Sequence, residues 1–223
     1  MLQFIKQSIG RKIRELLWKF LLTEEFATEL QKKYIANYIA SCRNQVDIDA
    51  TSCFYEQARV FNFQNNIEQI SIAKGTHIRG ELLLFPFGGK ITIGHNCYIG
   101  EHTRIWSAEE IRIGNHVLIS HNVNIIDTNS HELNHIERAE SYKKMLQEGH
   151  PTIKPNVLTA PIIVEDYAWI NFNVAISKGV RIGKGAIIAP NTVVTTDVPD
   201  FCLFAGTQGK FIKYLNDNNH DNS

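Results

Sequence analysis

The chain has 223 residues, enough for one main domain with an appendage and a sizeable core. Its 23 Lys and Arg balance 23 Asp and Glu, so no general electrostatic field favours nucleic acid. Hydrophobic residues make up 43% of the chain, yet no stretch reaches the ~20 apolar residues that a membrane-spanning helix needs.

From the N terminus, residues 2 to about 40 read as helix. Leu2, Ile5, Ile9, Ile13, Leu16 and Phe20 recur at three- and four-residue intervals. Lys6, Arg11, Lys12, Arg14 and Lys19 against Glu15 make residues 1–22 basic, and with Phe4 and Trp18 this stretch fits either a peripheral membrane contact or packing on a coil or subunit. The same charges break any secretory signal, and Cys42, Cys53, Cys97 and Cys202 form no CxxC pair. The expectation is a reduced, cytoplasmic protein, free or at the inner face of the membrane. Residues 41–66 read as irregular, with a strand around Ala58–Phe63.

A six-residue period then takes over. It starts faintly at Ile72, becomes clear at Ile93, Ile99 and Ile105, and resumes at Ile113, Ile119 and Ile125. The sequence FPFGGK at 85–90 interrupts it as a turn. From Val164 to Pro199 the period is unbroken: VEDYAW, INFNVA, ISKGVR, IGKGAI, IAPNTV, VTTDVP. The first position is always aliphatic and the fifth always small or β-branched. That spacing fits neither a helix nor an alternating strand; it is the hexapeptide signature of a parallel β-helix. Each block makes one face of a triangular prism, three blocks close a turn, and successive turns pair at about 4.8 Å.

Between Asp127 and Pro161 the period stops, then resumes in phase at Val164. A long insertion in a compact repeat is usually functional or disordered. Residues 137–148 are expected to form a short helix ended by Gly149 and Pro151. After Pro199, Phe201, Leu203, Phe204, Phe211, Ile212 and Tyr214 are expected to cap the open end, followed by a disordered tail from Asn216. The organisation read from this is an N-terminal segment 1–66, a β-helix 67–199 with the insertion 127–161, and a cap with tail 200–223.

Three motifs carry a resemblance: ISHNVNIIDTNSH at 119–131, the block ending in Trp169 followed by INFN, and VVTTDVP with AGTQGK and IK between 193 and 213. Over about Ile67 to Tyr214 the chain resembles the hexapeptide-repeat acyltransferases, in the branch of sugar and polysaccharide O-acetyltransferases that includes maltose and galactoside acetyltransferases. The resemblance implies a mainly β fold, a left-handed parallel β-helix with an N-terminal helical segment and a protruding active-site loop. It implies acetyl-CoA as donor, a homotrimer, and a sugar or polysaccharide acceptor, with no metal.

Such chemistry needs a base for the hydroxyl and a donor for the oxyanion. Histidine suits the base, its unperturbed pKa of about 6.5 lying near working pH. His131 matches the family's loop histidine; His135 is the alternative, and Asp127 or Glu132 could orient the ring. Trp169 resembles the indole that flanks the site across the subunit interface. By resemblance Phe172, Pro190, Thr195 and Thr196 line the CoA groove, and Lys210 and Lys213 meet its phosphates. Glu101, His102, Arg104 and Trp106 are candidates for the acceptor side.

The chain departs from the family pattern at several places. Phe172 and Pro190 stand where small residues are usual, Thr196 where Lys is usual, and Thr207-Gln208-Gly209 where Asn-Pro-Ala is usual. The Asn that contacts the sugar in galactoside-type enzymes falls on Gly100. Two other classes are open: a zinc protein of carbonic-anhydrase type using His116, His121 and His77, and a non-catalytic trimeric binding module.

Overall fold

The structure is a computed structural model and describes residues 10, 12–19, 23–207 and 210–214. The chain divides into two compact units, Met1–Ser41 and Cys42–Ser223. In the first, residues 10 and 12–19 are helical. A second helix, α1 (Glu24–Arg43), starts where the Thr23 hydroxyl accepts from the Phe26 N–H at 3.3 Å. Thr23 therefore interrupts the single helix expected from the periodicity, because its oxygen satisfies a helix-start donor. Residues 2–9 of that expected helix, and the tail from Asn216, lie outside the described residues. No helix among the described residues is long and apolar enough to cross a membrane.

The second unit is a left-handed parallel β-helix. Its first sheet stacks Asp47–Ile48, Ile70–Ile72, Ile91–Ile93, Ile111–Ile113, Ile162–Val164 and Arg181–Ile182. Its third stacks Arg59–Asn62, Glu81–Leu84, Arg104–Ser107, Asn124–Ile126, Ala175–Ser177 and Val193–Val194. The second sheet runs from Cys53–Phe54 to Ile187–Ile188, then takes up Cys202–Ala205 and, antiparallel to it, Lys210–Tyr214. Winding thus begins at Asp47, a full coil before the Ile67 expected from the repeat, and Asp47–Ile48 pairs in register with Ser71–Ile72. That coil uses Ile48, Phe54 and Val60 in the first position of each block; Phe54 stands where the later blocks are aliphatic.

Burial follows the six-residue pattern. The first-position residues Val164, Ile170, Ile176, Ile182, Ile188 and Val194 are at most 3% exposed, and they stack as continuous aliphatic columns. The fifth position sits at the corner, where small side chains bond across coils: the Ser52, Thr76 and Thr103 hydroxyls each donate at 2.7 Å to a carbonyl of the next coil, on Ala73, Gly94 and Ser120. Thr192 occupies the same position in the last coil, where the third sheet ends, and its buried hydroxyl has no partner among the described residues.

The fourth position takes positive φ at Gly75, Asn96, His102, His116, Asn122, Tyr167, Asn173, Gly185 and Asn191, because the chain must turn sharply there. Other glycines serve close packing of coil on coil. A Cβ on Gly100 would lie 2.4 Å from the backbone carbon of Ser120. Neither backbone can retreat without breaking the rungs on both sides, so Gly100→Ala is expected to cost ~1–3 kcal/mol, the usual cost of overpacking. A thermal or denaturant midpoint unchanged from wild type would refute this, and Gly100→Asn should be worse still.

Candidate functional site

The insertion leaves the prism after Asn124–Ile126 and returns at Ile162–Val164. Its base is closed on itself: Ala160 N–H donates to Asp127 O at 3.0 Å, Asn129 N–H to Leu158 O at 3.0 Å, and Thr128 bridges Thr159. Asp127 anchors this base to the neighbouring coil. Its carboxylate accepts from the Ser107 hydroxyl at 2.6 Å, the Ala108 N–H at 2.7 Å and the Glu109 N–H at 3.0 Å. Asp127 is fully buried, and burial pushes its carboxyl above the ordinary aspartate range against the pull of those three bonds. The carboxylate that the sequence offered as an orienter of His131 is thus bonded to the 107–109 turn, and no bond joins it to the imidazole among the described residues.

Within the insertion, helix α2 (His135–Glu148) begins two residues earlier than expected. The reason is Asn134, whose side chain accepts from the N–H groups of Ile136 and Glu137 as an N-cap. Gly149 ends it at φ 89°, donating to Met145 O. Arg138 reaches back to the carbonyls of Glu132 and Leu133 at 2.9 and 3.2 Å, which ties the helix to the strand-to-helix turn.

Between α2, that turn and the prism lies a cavity of about 590 Å³. His131 and Glu132 line it on the insertion side, Phe85, Phe87 and Trp106 on the prism side. His131 is exposed, whereas Glu132 is only 4% exposed. Trp106, a candidate for the acceptor side, lines this cavity, and its indole N–H donates to Glu81 at 2.7 Å. The sequence marks 85–90 only as a turn. The turn does exist, with Gly88 N–H donating to Phe85 O at 3.3 Å, but it also carries two aromatic rings into the cavity wall. Two Phe residues flanking Pro86 just before Gly88-Gly89 were the available signal.

The remaining candidates lie on other surfaces. Glu101 and His102 pair at 3.5 Å at the corner between the second and third sheets, and Arg104 bonds Asn124 at 3.3 Å. At that same corner His121 and Phe172 stack in successive coils, ring centres 5.3 Å apart and 4° from parallel, and Pro190 follows one coil on. Thr195 and Thr196 are exposed just beyond the last strand of the third sheet. Lys210 is exposed on the closing hairpin, while the side chain of Lys213 lies outside the described residues. Trp169 is 41% exposed on the outer face of the second sheet, in register with Leu118 and Ile187. Tyr98, Leu118, Trp169, Ile187 and Leu203 continue that column across five coils without a charge.

The histidines of the zinc reading are placed separately. His116 stacks on Tyr167 at 4.9 Å with planes 3° apart, His121 stacks on Phe172, and His77 Nδ1 is 3.0 Å from the Tyr55 hydroxyl. No group of three or more metal-ligating side chains occurs among the described residues.

The Asp127 clamp gives a test. In Asp127→Asn an amide N–H₂ must face either the Ala108 or the Glu109 N–H, donor against donor. A loss of ~1–3 kcal/mol is expected in denaturant titration, with faster proteolysis inside 128–160. The sign with pH is fixed by the raised carboxyl: this group's stabilising share is complete below the unfolded aspartate's titration and is lost as pH rises through the folded value. The Asn variant should lack that component. An unchanged pH profile would show that the carboxyl is not perturbed.

Comparison with known proteins accords with this architecture. Residues 161–196 match the family of the bacterial transferase hexapeptide (six repeats). The putative lipopolysaccharide biosynthesis O-acetyl transferase of Escherichia coli (strain K12) is 28% identical over 196 residues, 84% of this chain and 94% of that protein. The galactoside O-acetyltransferase of the same strain is 29% identical over 133 residues, 60% of this chain and 58% of that one. Among solved structures, the acetyl-CoA complex of a hexapeptide-repeat acetyltransferase from Vibrio cholerae O1 biovar eltor superposes with a TM-score of 0.55 at 22% identity, covering 88% of this chain and 92% of that one, a likeness of fold. In its repeat over residues 161–196, in its prism and in these relatives, the chain is similar to hexapeptide-repeat transferases.

Proposed function

We propose that this chain transfers an acetyl group from acetyl-CoA to a hydroxyl of a sugar or surface polysaccharide, with His131 as general base. The observation that carries the reading is the placement of His131 and Glu132 on one wall of the cavity at the root of the insertion. His131 takes the proton of the acceptor hydroxyl as its oxygen attacks the thioester carbonyl. The resulting imidazolium returns that proton to the departing thiolate sulfur, so no covalent enzyme intermediate is needed.

The donor groove would run along the corner bearing Phe172 and Pro190 towards Thr195, Thr196 and Lys210. The hydroxyls of Thr195 and Thr196 and the ammonium of Lys210 suit the amides and phosphates of CoA, and Lys213 would add a second charge. Trp169 would stand on the neighbouring subunit's side of that groove. A homotrimer is supported by the uncharged column Tyr98, Leu118, Trp169, Ile187 and Leu203, a flat face that a neighbouring copy would cover. The outer face of the first sheet, by contrast, carries Arg112 and Arg181. For a sugar carried on a lipid, the basic stretch 1–22 would hold the enzyme at the membrane's inner face.

His131→Ala should lower acetyl transfer ~10²–10⁴-fold, the usual worth of a general base, with CoA affinity retained. Turnover near wild type would remove His131 from the mechanism and shift attention to His135. Leu118→Arg places a charge in the middle of the uncharged face. Light scattering should then report monomers, and activity should fall with assembly; an active Leu118→Arg trimer would mean that another face associates.

A further inference from the structure

The insertion leaves its antiparallel base through a tight turn. The His131 N–H donates to Asn129 O, two residues back, at 2.7 Å, and Ser130 between them sits at φ 63°. A three-residue ring with a left-handed centre is the γ-turn in its rare and strained form. The same insertion closes a second such ring, Val157 N–H to Pro155 O at 2.7 Å, but its central Asn156 is not at positive φ. That is the common, relaxed form. Ser130 and Gly149 are the two positive-φ residues of the insertion, and Ser130 lacks the freedom that glycine has.

Three bonds in a row hold the strained turn. Asn129 N–H donates to Leu158 O at 3.0 Å, Ser130 N–H to the Thr128 hydroxyl at 3.0 Å, and His131 N–H to Asn129 O. Thr128 is 7% exposed and bridges Thr159, so its hydroxyl is fixed by the base of the insertion. Ser130 is exposed, so side-chain packing does not account for its conformation. Chain length does not account for it either. Lengthening a loop costs little, and the insertion has the slack to leave its base through a relaxed turn. Strain kept where slack is available points to what the turn presents. What it presents is His131: Ser130, His131 and Glu132 are consecutive in the cavity wall.

We propose that Thr128 and Ser130 are the positioning residues of the general base. The Thr128 hydroxyl pins the left-handed Ser130, and the turn so held aims the imidazole of His131 into the cavity. Both residues act through His131, and the proposal rests on the reading of His131 as that base.

The test uses the full chain and two readouts. The first is NMR of protein isotope-labelled in its histidine rings, where the His131 signal is the one of nine that His131→Ala removes. Thr128→Val keeps the branch and the burial but loses the hydroxyl. It should shift or broaden that signal and leave the other histidines in place, and Thr128→Ser should restore it. Ser130→Val puts a β-branched residue at a left-handed position and should act like Thr128→Val; Ser130→Asn, which tolerates that position, should recover the signal. The second readout is CoA release from acetyl-CoA with a mixture of methyl glucopyranoside, galactopyranoside and mannopyranoside as acceptors. Thr128→Val and Ser130→Val should lower kcat ~10–100-fold, the scale of a small misplacement, with the acetyl-CoA KM held within about twofold. In a His131→Ala background, Thr128→Val should lower the residual rate by less than about twofold, because no imidazole is left to aim. An undisturbed His131 signal in Thr128→Val and Ser130→Val overturns the proposal. So does equal loss in Ser130→Val and Ser130→Asn, which would assign the serine hydroxyl and not the turn. So does an equal loss from Thr128→Val with and without His131. Each of these leaves His131 standing as base, whereas full turnover in His131→Ala defeats that reading and the proposal with it.

Discussion

Everything in the second unit depends on the rung between one coil and the next. Each two- to four-residue strand is too short to stand alone, and its N–H and C=O groups are satisfied only by the coils above and below it. The aliphatic columns add the apolar gain, but the rungs fix the register. This is why an insertion of some thirty residues leaves no trace in the stacking: Ile111–Ile113 pairs directly with Ile162–Val164, as it does with Ile91–Ile93 on its other side. Only a corner can tolerate such an excursion, since there the chain departs from the ladder without vacating a rung.

The corners carry their own cost. The fourth position of each block is left-handed, and Asn and Gly meet that demand most cheaply. Tyr167 meets it at φ 63°, where a bulky residue is strained by roughly 1–3 kcal/mol. Part of that strain is offset by contact along the edge: its ring lies flat against His116, which in turn meets His95 edge-on at 4.7 Å. Of the histidines whose spacing suggests metal ligands, His116 belongs to this stack, His121 lies on Phe172 at another corner, and His77 meets Tyr55.

Much of the fold was legible because the period itself is the fold. Blocks with Ile at the first position and Ala, Val or Thr at the fifth announce the prism from Val164 onward. The first coil escaped notice because Phe54 fills an aliphatic place and Ser52 a corner, so only position, not composition, betrays it. The site was legible in part. His131 stands out by motif, and α2 by its Asn134 cap and Gly149 stop. What sequence could not supply was partnership across coils. Asp127 and Ser107 are twenty residues apart yet share a 2.6 Å bond, and that bond, absent from any local pattern, turns a candidate catalytic carboxylate into a structural clamp.

The clamp also divides the molecule by local stability. Below it, the prism residues are held by continuous rungs and closed columns. Above it, α2 buries none of its residues, and Ile136, Leu146 and Ile153 remain more than half exposed. Such a segment has few contacts to lose on opening, so it belongs to the low end of the local-unfolding scale while the coils belong to the high end. Asp127 sits at the border between the two. Its three bonds hold the mouth of the insertion to the 107–109 turn, so the anchoring lies on the side of the stable coils.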